Sequence, residues 1–299
     1  MSISTSNKNI LFIYNPHSGK EKLKSNLSDI INKLCKKEYN ITIYATQSSG
    51  DATMRINKIK EKAEQYDLII CSGGDGTLNE VVQGIISNKL TIPLGYIPSG
   101  TVNDFARSLG IPTDINKALE VAMNGENFKC DIGELNNKQF TYVAAFGLFT
   151  SVAYSTDQSL KNSLGKLAYF LEGVKQVSEI PRYHIKIETE NIQLEDDYIF
   201  GMATNSYSVG GIKTKILEKS KLNDGLLEVT LIIVELNDTI KAISNNDFTI
   251  TGSLIQSFKT PEVNLTCNEE IAWTLDGENG GKYKDIIIKN NRQALTIKA

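Results

Sequence analysis

The stretch Leu68-Ile69-Ile70-Cys71-Ser72-Gly73-Gly74-Asp75-Gly76-Thr77-Leu78-Asn79-Glu80-Val81-Val82 constrains this chain more than any other. Leu68 to Cys71 is a short apolar run of the kind that forms a buried strand. Gly73, Gly74 and Gly76 follow, and apolar residues then recur at helical spacing. Strand, glycine turn and helix in succession aim backbone N–H groups and a helix N-terminus at an anion. Glycine admits positive φ and carries no Cβ to obstruct a phosphate. Thr77 stands where a helix N-cap would stand, with Glu80 three residues on, the pattern of a capping box. Asp75 is the odd member. A carboxylate in a phosphate-binding turn repels the ligand unless a cation lies between them, so the stretch implies a phosphate together with Mg²⁺. The competing reading is a glycine-rich turn with an exposed Asp. The buried strand ahead of the turn and the full GGDGTLNE run weigh against it.

A chain of 299 residues exceeds what one core usually encloses, so two domains are expected. The formal net charge of −3 argues against a nucleic-acid binder, which would usually be basic. Cys35, Cys71, Cys130 and Cys267 are scattered without a CxxC. They offer neither a disulfide framework nor a zinc pattern and suit a reducing cytosol. His17 and His184 are the only histidines, and neither has a metal-ligand partner at useful spacing. The apolar run Ile10 to Tyr14 is too short for the core of a signal peptide, and no run is long enough to span a bilayer. Any membrane contact is therefore expected to be peripheral.

Ile10 to Tyr14 reads as a first buried strand, closed by Asn15-Pro16-His17-Ser18-Gly19-Lys20, with an amphipathic segment continuing to about Lys37. This is a second candidate phosphate loop, though not a Walker A loop. Taken alone it is equally a plain strand-to-helix turn. Tyr39 to Tyr44 reads as a second strand, Thr46 to Asp51 as a loop, and the next helix runs to about Tyr66. Ile92 to Ile97 is a further strand, ending at Pro98-Ser99-Gly100-Thr101-Val102-Asn103. Strand–helix alternation at this spacing predicts a parallel sheet with helices on both faces, and ligands of such sheets bind beyond the carboxyl ends of the strands. After about Asp131 the segments Phe140 to Ala145, Tyr183 to Glu188, Tyr198 to Ala203, Leu226 to Val234 and Glu262 to Cys267 are short and β-rich. One helical stretch, Ser163 to Ser178, interrupts them. A mostly antiparallel second domain is expected. The expected boundaries are 1–130 and 131–289, with a last strand at about 290–299 returning to the first domain.

At these motifs the chain resembles the diacylglycerol kinase catalytic-domain family, the soluble bacterial lipid kinases related to sphingosine kinases. The matching pieces are Asn15-Pro-His-Ser-Gly-Lys20, Gly73-Gly-Asp-Gly-Thr-Leu-Asn-Glu80, Gly100-Thr-Val-Asn-Asp-Phe-Ala-Arg107, Leu222-Asn-Asp-Gly-Leu-Leu-Glu-Val229 and Leu275-Asp-Gly-Glu-Asn-Gly-Gly281. Leu164 to Leu171 and Asn205 to Gly211 look most like the soluble Gram-positive enzyme. The resemblance implies an α/β N-terminal domain, like that of NAD kinases and phosphofructokinases, followed by a sandwich-like, mostly antiparallel β domain.

It also implies an ATP- and Mg²⁺-dependent kinase that phosphorylates diacylglycerol to phosphatidate. ATP would lie against Asn15, Pro16, His17, Ser18, Gly19, Thr46, Gly73, Gly74, Asp75, Gly76, Thr77, Leu78, Asn79 and Thr101. A structural Mg²⁺ would be held by Asp224 and the carbonyls of Lys221 and Leu226, although Asn223 stands where the family often has a second Asp. Asp75 would act through water and Mg²⁺ on the phosphates. Asp276 or Glu278 would accept the hydroxyl proton, and in an extended chain both would point to one side. Asp131 is a weaker candidate for a water-mediated network with Asp75 and Asp224. Lys20, Lys22, Lys24, Lys161 and Lys166 could meet anionic headgroups or simply form solvated faces, and Leu164 to Val174 could wall an acyl pocket or be core. The implied protein is cytoplasmic, meets its lipid substrate transiently at the inner membrane face, and could form a homodimer. Rival readings are another lipid as substrate, an NAD kinase, and a non-catalytic binding protein.

Overall fold

The computed structural model describes residues 8–18, 22–147, 181–206, 221–233 and 255–299. The chain divides into two compact units, Met1–Cys130 with Gln293–Ala299, and Asp131–Arg292.

In the first unit β1 (Asn9–Tyr14), β2 (Asn40–Ala45), β3 (Leu68–Gly73) and β4 (Leu94–Pro98) alternate with α1 (Lys22–Lys36), α2 (Asp51–Glu61) and α3 (Asp75–Ser87). Two further helices, α4 (Asp104–Ser108) and α5 (Ile115–Asn124), follow β4. β1 pairs parallel with β2 on one side and β3 on the other, and β3 pairs parallel with β4. The C-terminal strand adds a parallel contact, Ile297 opposite Leu94. Every residue of β3 and β4 is buried, as are four successive residues of β1. Covering a sheet on both faces demands such unbroken apolar runs. β2 is the edge strand and is mostly open to solvent. The chain reverses its direction of travel across the sheet after β2, so the loops after β1 and β3 flank a switch point beyond the carboxyl ends of the strands.

α2 stops at Glu61, short of the expected Tyr66. Ala63 adopts φ 53° and turns the chain out of the helix, and Lys62 N–H closes the last turn on the Lys58 carbonyl.

The second unit contains most of β5 (Asn127–Leu135), then β6 (Lys138–Phe140), β7 (Val143–Gly147), β8 (Tyr183–Glu188), β9 (Gln193–Thr204), β10 (Leu227–Ile233), β11 (Ile255–Thr260), β12 (Glu262–Leu275) and the start of β13 (Glu278–Lys298). The pairings β5–β6, β7–β9, β7–β12, β8–β9, β8–β12, β9–β10, β10–β11 and β12–β13 are antiparallel. β9 and β12 are long, and each bonds both short strands, β8 along one half and β7 along the other. Among the described residues the ladder through this unit is consequently continuous, and does not divide into two separately bonded sheets. The run Phe140 to Ala145, expected as one strand, is interrupted at Thr141-Tyr142, whose amides bond to the carboxylate of Asp276 in place of a ladder partner. The last strand, expected at about 290–299, is the end of the longer β13, Glu278–Lys298. The expected helix Ser163 to Ser178 lies outside the described residues, as do Val234 and the Leu164 to Val174 stretch.

Phe146 anchors the apolar interior of this unit. It is fully buried, with its ring centroid 4.9 Å from that of Trp273 and 5.9 Å, edge to face, from that of Tyr183. Removing a buried aromatic ring forfeits both the transfer energy and the contacts around the cavity left behind. Phe146→Ala should therefore lower unfolding free energy by about 3–5 kcal/mol, read from the denaturant midpoint at unchanged slope.

Candidate functional site

Three loops of the first unit meet at the N-terminus of α3. After β3 the chain turns at Gly74, the N-cap of α3, and no side chain caps the helix. The capping box expected from Thr77 and Glu80 does not form. Thr77 already lies inside the helix, and Glu80 bonds to the N-terminus of α2, at Gly50 and Ala52, instead. The first N–H groups of α3 are left without a side-chain cap, the condition under which a helix end offers donors and positive potential to an anion.

The second loop follows β4. Gly100 lies backbone to backbone against Gly74: a Cβ on Gly100 would come within 2.6 Å of the Gly74 Cα. Only a residue without a side chain permits that approach. Asn103 locks the turn. Its Oδ1 accepts from Gly100 N–H at 3.0 Å, and its Nδ2 donates to the Gly100 carbonyl at 2.8 Å. Its own N–H donates to Asp75 Oδ2 at 2.9 Å. Asn103 is buried and left-handed at φ 54°, a conformation asparagine tolerates better than most residues. The hydroxyl of buried Tyr96 donates to the Gly73 carbonyl at 3.1 Å. Burial, then the charge of Asp75, hold that hydroxyl well above the usual tyrosine pKa, so it stays a neutral donor.

The third loop follows β1. Asn15 Nδ2 donates to Thr77 Oγ1 at 3.3 Å, while Asn15 Oδ1 accepts from His17 N–H at 2.8 Å. Ser99 Oγ donates to Ser18 Oγ at 3.0 Å. Asn15, Ser18, Gly73, Gly74, Asp75 and Thr77 thus belong to one bonded cluster. Thr101 is exposed beside it and His17 is exposed, while Gly19 and Lys20 lie outside the described residues. Thr46 ends β2 and bonds to the Tyr14 carbonyl through its N–H at 2.9 Å. Asp75 has a protein partner for one oxygen in Asn103, so part of its charge is answered within the fold and not by a cation alone. Asn103 was placed by the sequence in the loop after β4 but given no role, although it stands five residues past the strand, within Gly-Thr-Val-Asn.

The candidate carboxylates of the second unit gather at two turns, Asp276 and Glu278 at one, Asp224 at the other with Asp131 of β5 beside it. Asp276 and Gly277 form the two-residue turn between β12 and β13, at φ 51° and 83°, with Leu275 opposite Glu278. Positive φ at both positions is the signature of a tight primed hairpin. The expectation that Asp276 and Glu278 point to one side of an extended chain is therefore corrected, because the chain is folded back between them. Asp276 is buried, and its two oxygens accept four bonds, from Thr141 N–H at 2.6 Å, Thr141 Oγ1 at 2.8 Å, and the N–H groups of Tyr142 and Val143 at 3.0 Å each. Burial pushes its carboxyl above the usual range, against the four bonds, which favour the ionised form. With four donors on four acceptor positions, Asp276 has no lone pair left for a substrate hydroxyl. Glu278 is exposed at the start of β13.

In the other turn Asp131 Oδ2 accepts from Gly225 N–H at 2.6 Å, and Asp131 N–H donates to the Leu222 carbonyl at 2.7 Å. Asp224 Oδ1 accepts from Leu226 N–H at 3.1 Å, and Oδ2 lies 3.8 Å from the Lys259 ammonium. Among the described residues no group of three or more His, Cys, Asp or Glu side chains could hold a metal. The Leu226 carbonyl, one of the expected Mg²⁺ ligands, already accepts from Asn290 Nδ2 at 3.0 Å, which leaves it one lone pair for a hard cation.

The diacylglycerol kinase catalytic domain model matches residues 9–135. The diacylglycerol kinase of Staphylococcus aureus strain MRSA252 is 38% identical over 281 residues, covering 92% of this chain and 87% of the relative. That of strain Newman matches at the same identity and coverage. The crystal structure of a candidate diacylglycerol kinase from Bacillus anthracis strain Sterne superposes with a TM-score of 0.81 at 26% identity, covering 98% of each chain. This chain belongs to the diacylglycerol kinase catalytic-domain family. Among the described residues no helix is long and apolar enough to cross a membrane.

Gly100→Ala tests the backbone contact. The added methyl must displace one of the two turns, so the variant should remain folded with stability lowered by about 1–3 kcal/mol, and its ATP affinity, measured by titration calorimetry, should fall at least roughly tenfold.

Proposed function

We propose that the protein is an ATP-dependent lipid kinase that transfers the γ-phosphoryl group of ATP to the free hydroxyl of diacylglycerol, giving phosphatidate and ADP. The observation that carries this reading is the bonded cluster at the N-terminus of α3, where uncapped helix N–H groups meet two glycine turns with no side chain between them. Such an end directs N–H donors and positive potential at phosphate oxygens. Family membership supports ATP as the donor and the acceptor named for the Staphylococcus aureus relative.

In this reading the first unit, of the nucleotide-binding type found in NAD kinases and phosphofructokinases, binds ATP through Asn15, Pro16, Ser18, Gly73–Asn79, Thr46 and Thr101. The second unit receives the lipid. The acceptor oxygen attacks the γ-phosphorus, the bond from that phosphorus to the β–γ bridging oxygen breaks, and ADP leaves with the electron pair. The hydroxyl proton passes to the Glu278 carboxylate, which is exposed and so available to a lipid hydroxyl. Asp276 is assigned the supporting role: it pins the 141–143 segment and the hairpin turn, and so fixes where Glu278 starts β13. Asp75, at the edge of the cluster, would hold Mg²⁺-ATP through water, the metal supplying positive charge to the phosphates. Asp224 with the carbonyls of Lys221 and Leu226 would hold a resident Mg²⁺ that stiffens the 222–226 turn and adds positive charge there. The enzyme works from the cytoplasm as a peripheral visitor to the inner membrane face.

The test is transfer of labelled γ-phosphate from Mg²⁺-ATP in mixed micelles holding diacylglycerol, phosphatidylglycerol or a sphingoid base, with NAD in a parallel aqueous reaction. Labelled phosphatidate is expected. Label in another lipid or in NADP, or no label at all, would contradict the reading. Variants separate the two carboxylates. Glu278→Gln should cut kcat by roughly 10²–10⁴-fold with the unfolding midpoint unchanged. Asp276→Asn should instead lower the midpoint, since an amide presents a donor where the carboxylate accepted, at a cost of about 1–3 kcal/mol.

A further inference from the structure

Glu80 is the one charged side chain of the GGDGTLNE run for which the phosphate cluster supplies no role. It sits a turn and a half into α3, beyond the cluster, and reaches across to the segment between β2 and α2. Its Oε1 accepts from Gly50 N–H at 2.7 Å and from Ser49 Oγ at 3.4 Å, and its Oε2 accepts from Ala52 N–H at 3.1 Å. Its own carbonyl accepts from Thr53 Oγ1 at 2.8 Å. The N-cap of α2 is Gly50, which has no side chain with which to cap. Glu80 supplies from α3 the acceptor that α2 lacks, and its negative charge lies at the positive end of the α2 dipole.

The segment so held carries Thr46. Its other end is pinned to β1 through Thr46 N–H on the Tyr14 carbonyl, and its middle is closed by Gln47 N–H on Asp51 Oδ2 at 2.8 Å. Tyr44 donates to Asp51 Oδ1 at 2.6 Å, completing a rigid loop. The phosphate cluster uses the loops after β1, β3 and β4. The loop after β2 is the remaining one at that sheet edge, two strand spacings, about 10 Å, from β3. It is the place left at this edge for whatever part of the ligand is not phosphate.

We propose that Glu80 is a positioning residue that fixes the Thr46–Gly50 loop relative to the phosphate turn, and that this loop receives the nucleoside end of the nucleotide. The inference rests on the nucleotide reading of the first unit. Glu80 sets the distance between the two ends of the ligand's seat, because the helix that begins at the phosphates also holds the loop that meets the nucleoside.

Full-length wild type, Glu80→Gln and Glu80→Ala are compared by titration calorimetry with ATP and with inorganic tripolyphosphate, and by steady-state kinetics. Gln keeps one acceptor oxygen and turns an amide donor toward a backbone N–H, so it weakens the strap without emptying the space. ATP affinity should fall about threefold in Glu80→Gln and about tenfold or more in Glu80→Ala, while tripolyphosphate affinity changes less than twofold. KM for ATP should rise with kcat nearly unchanged. Equal losses for both ligands, or no loss for either, would overturn the proposal, since the first means a general loosening and the second an idle contact. If Glu80→Ala does not fold, Glu80→Gln alone decides by the same comparison. Wild type that binds neither ligand would overturn the nucleotide reading itself and the proposal with it.

Discussion

The contact on which the first unit depends is between two pieces of main chain with nothing between them. Gly74 and Gly100 approach so closely that a single methyl on Gly100 would fall 2.6 Å from the opposing Cα. Asn103 holds that approach by bonding both polar groups of Gly100 and passing its N–H to Asp75. From this one contact follow the open N-terminus of α3, the placement of Ser99 against Ser18, and the seating of Thr77 beside Asn15. The buried parallel strands serve as the frame that delivers three loops to the same edge.

A comparable economy governs the second unit. Asp276 is a buried carboxylate whose four bonds draw the 141–143 segment onto the β12–β13 turn. Burial alone would make an ionised carboxylate costly, and saturation with donors is the usual compensation. The consequence for chemistry is a division of labour between two acidic residues only two positions apart. One is spent on architecture, and the other is exposed, which is why the proposed proton transfer is given to Glu278.

Much of this was legible in the sequence where periodicity and composition act locally. The apolar run Leu68 to Cys71 before three glycines indicated a buried strand running into a turn and helix, and β3 and α3 follow that order. Tyr183 to Glu188 matches β8 residue for residue. What was not legible depended on partners distant in sequence. Glu80 satisfied the local rule for a capping box, yet α2, thirty residues earlier, offered it better donors. Asp276 and Glu278 satisfied the alternation rule for a strand, but Asp-Gly is also the strongest local signal for a primed hairpin turn, and the turn prevailed. Asn103 gives no periodic signal, because its importance lies in a left-handed backbone and in bonds to Gly100 and Asp75. The family resemblance named the loops that the fold gathers at one sheet edge, without distinguishing Asn103, which locks the Gly100 turn, from its neighbours.

The central claim is that the Gly74–Gly100 contact, with Asn103, builds the phosphate seat. Hydrogen exchange of the wild-type protein, measured peptide by peptide with and without Mg²⁺-ATP, tests it most directly. Slowed exchange is expected in peptides covering residues 72–80 and 98–104, where the open amides of α3 and the Gly100 turn would be covered by phosphate oxygens. Unchanged exchange in those peptides at saturating ATP, with protection elsewhere in the chain, would contradict it.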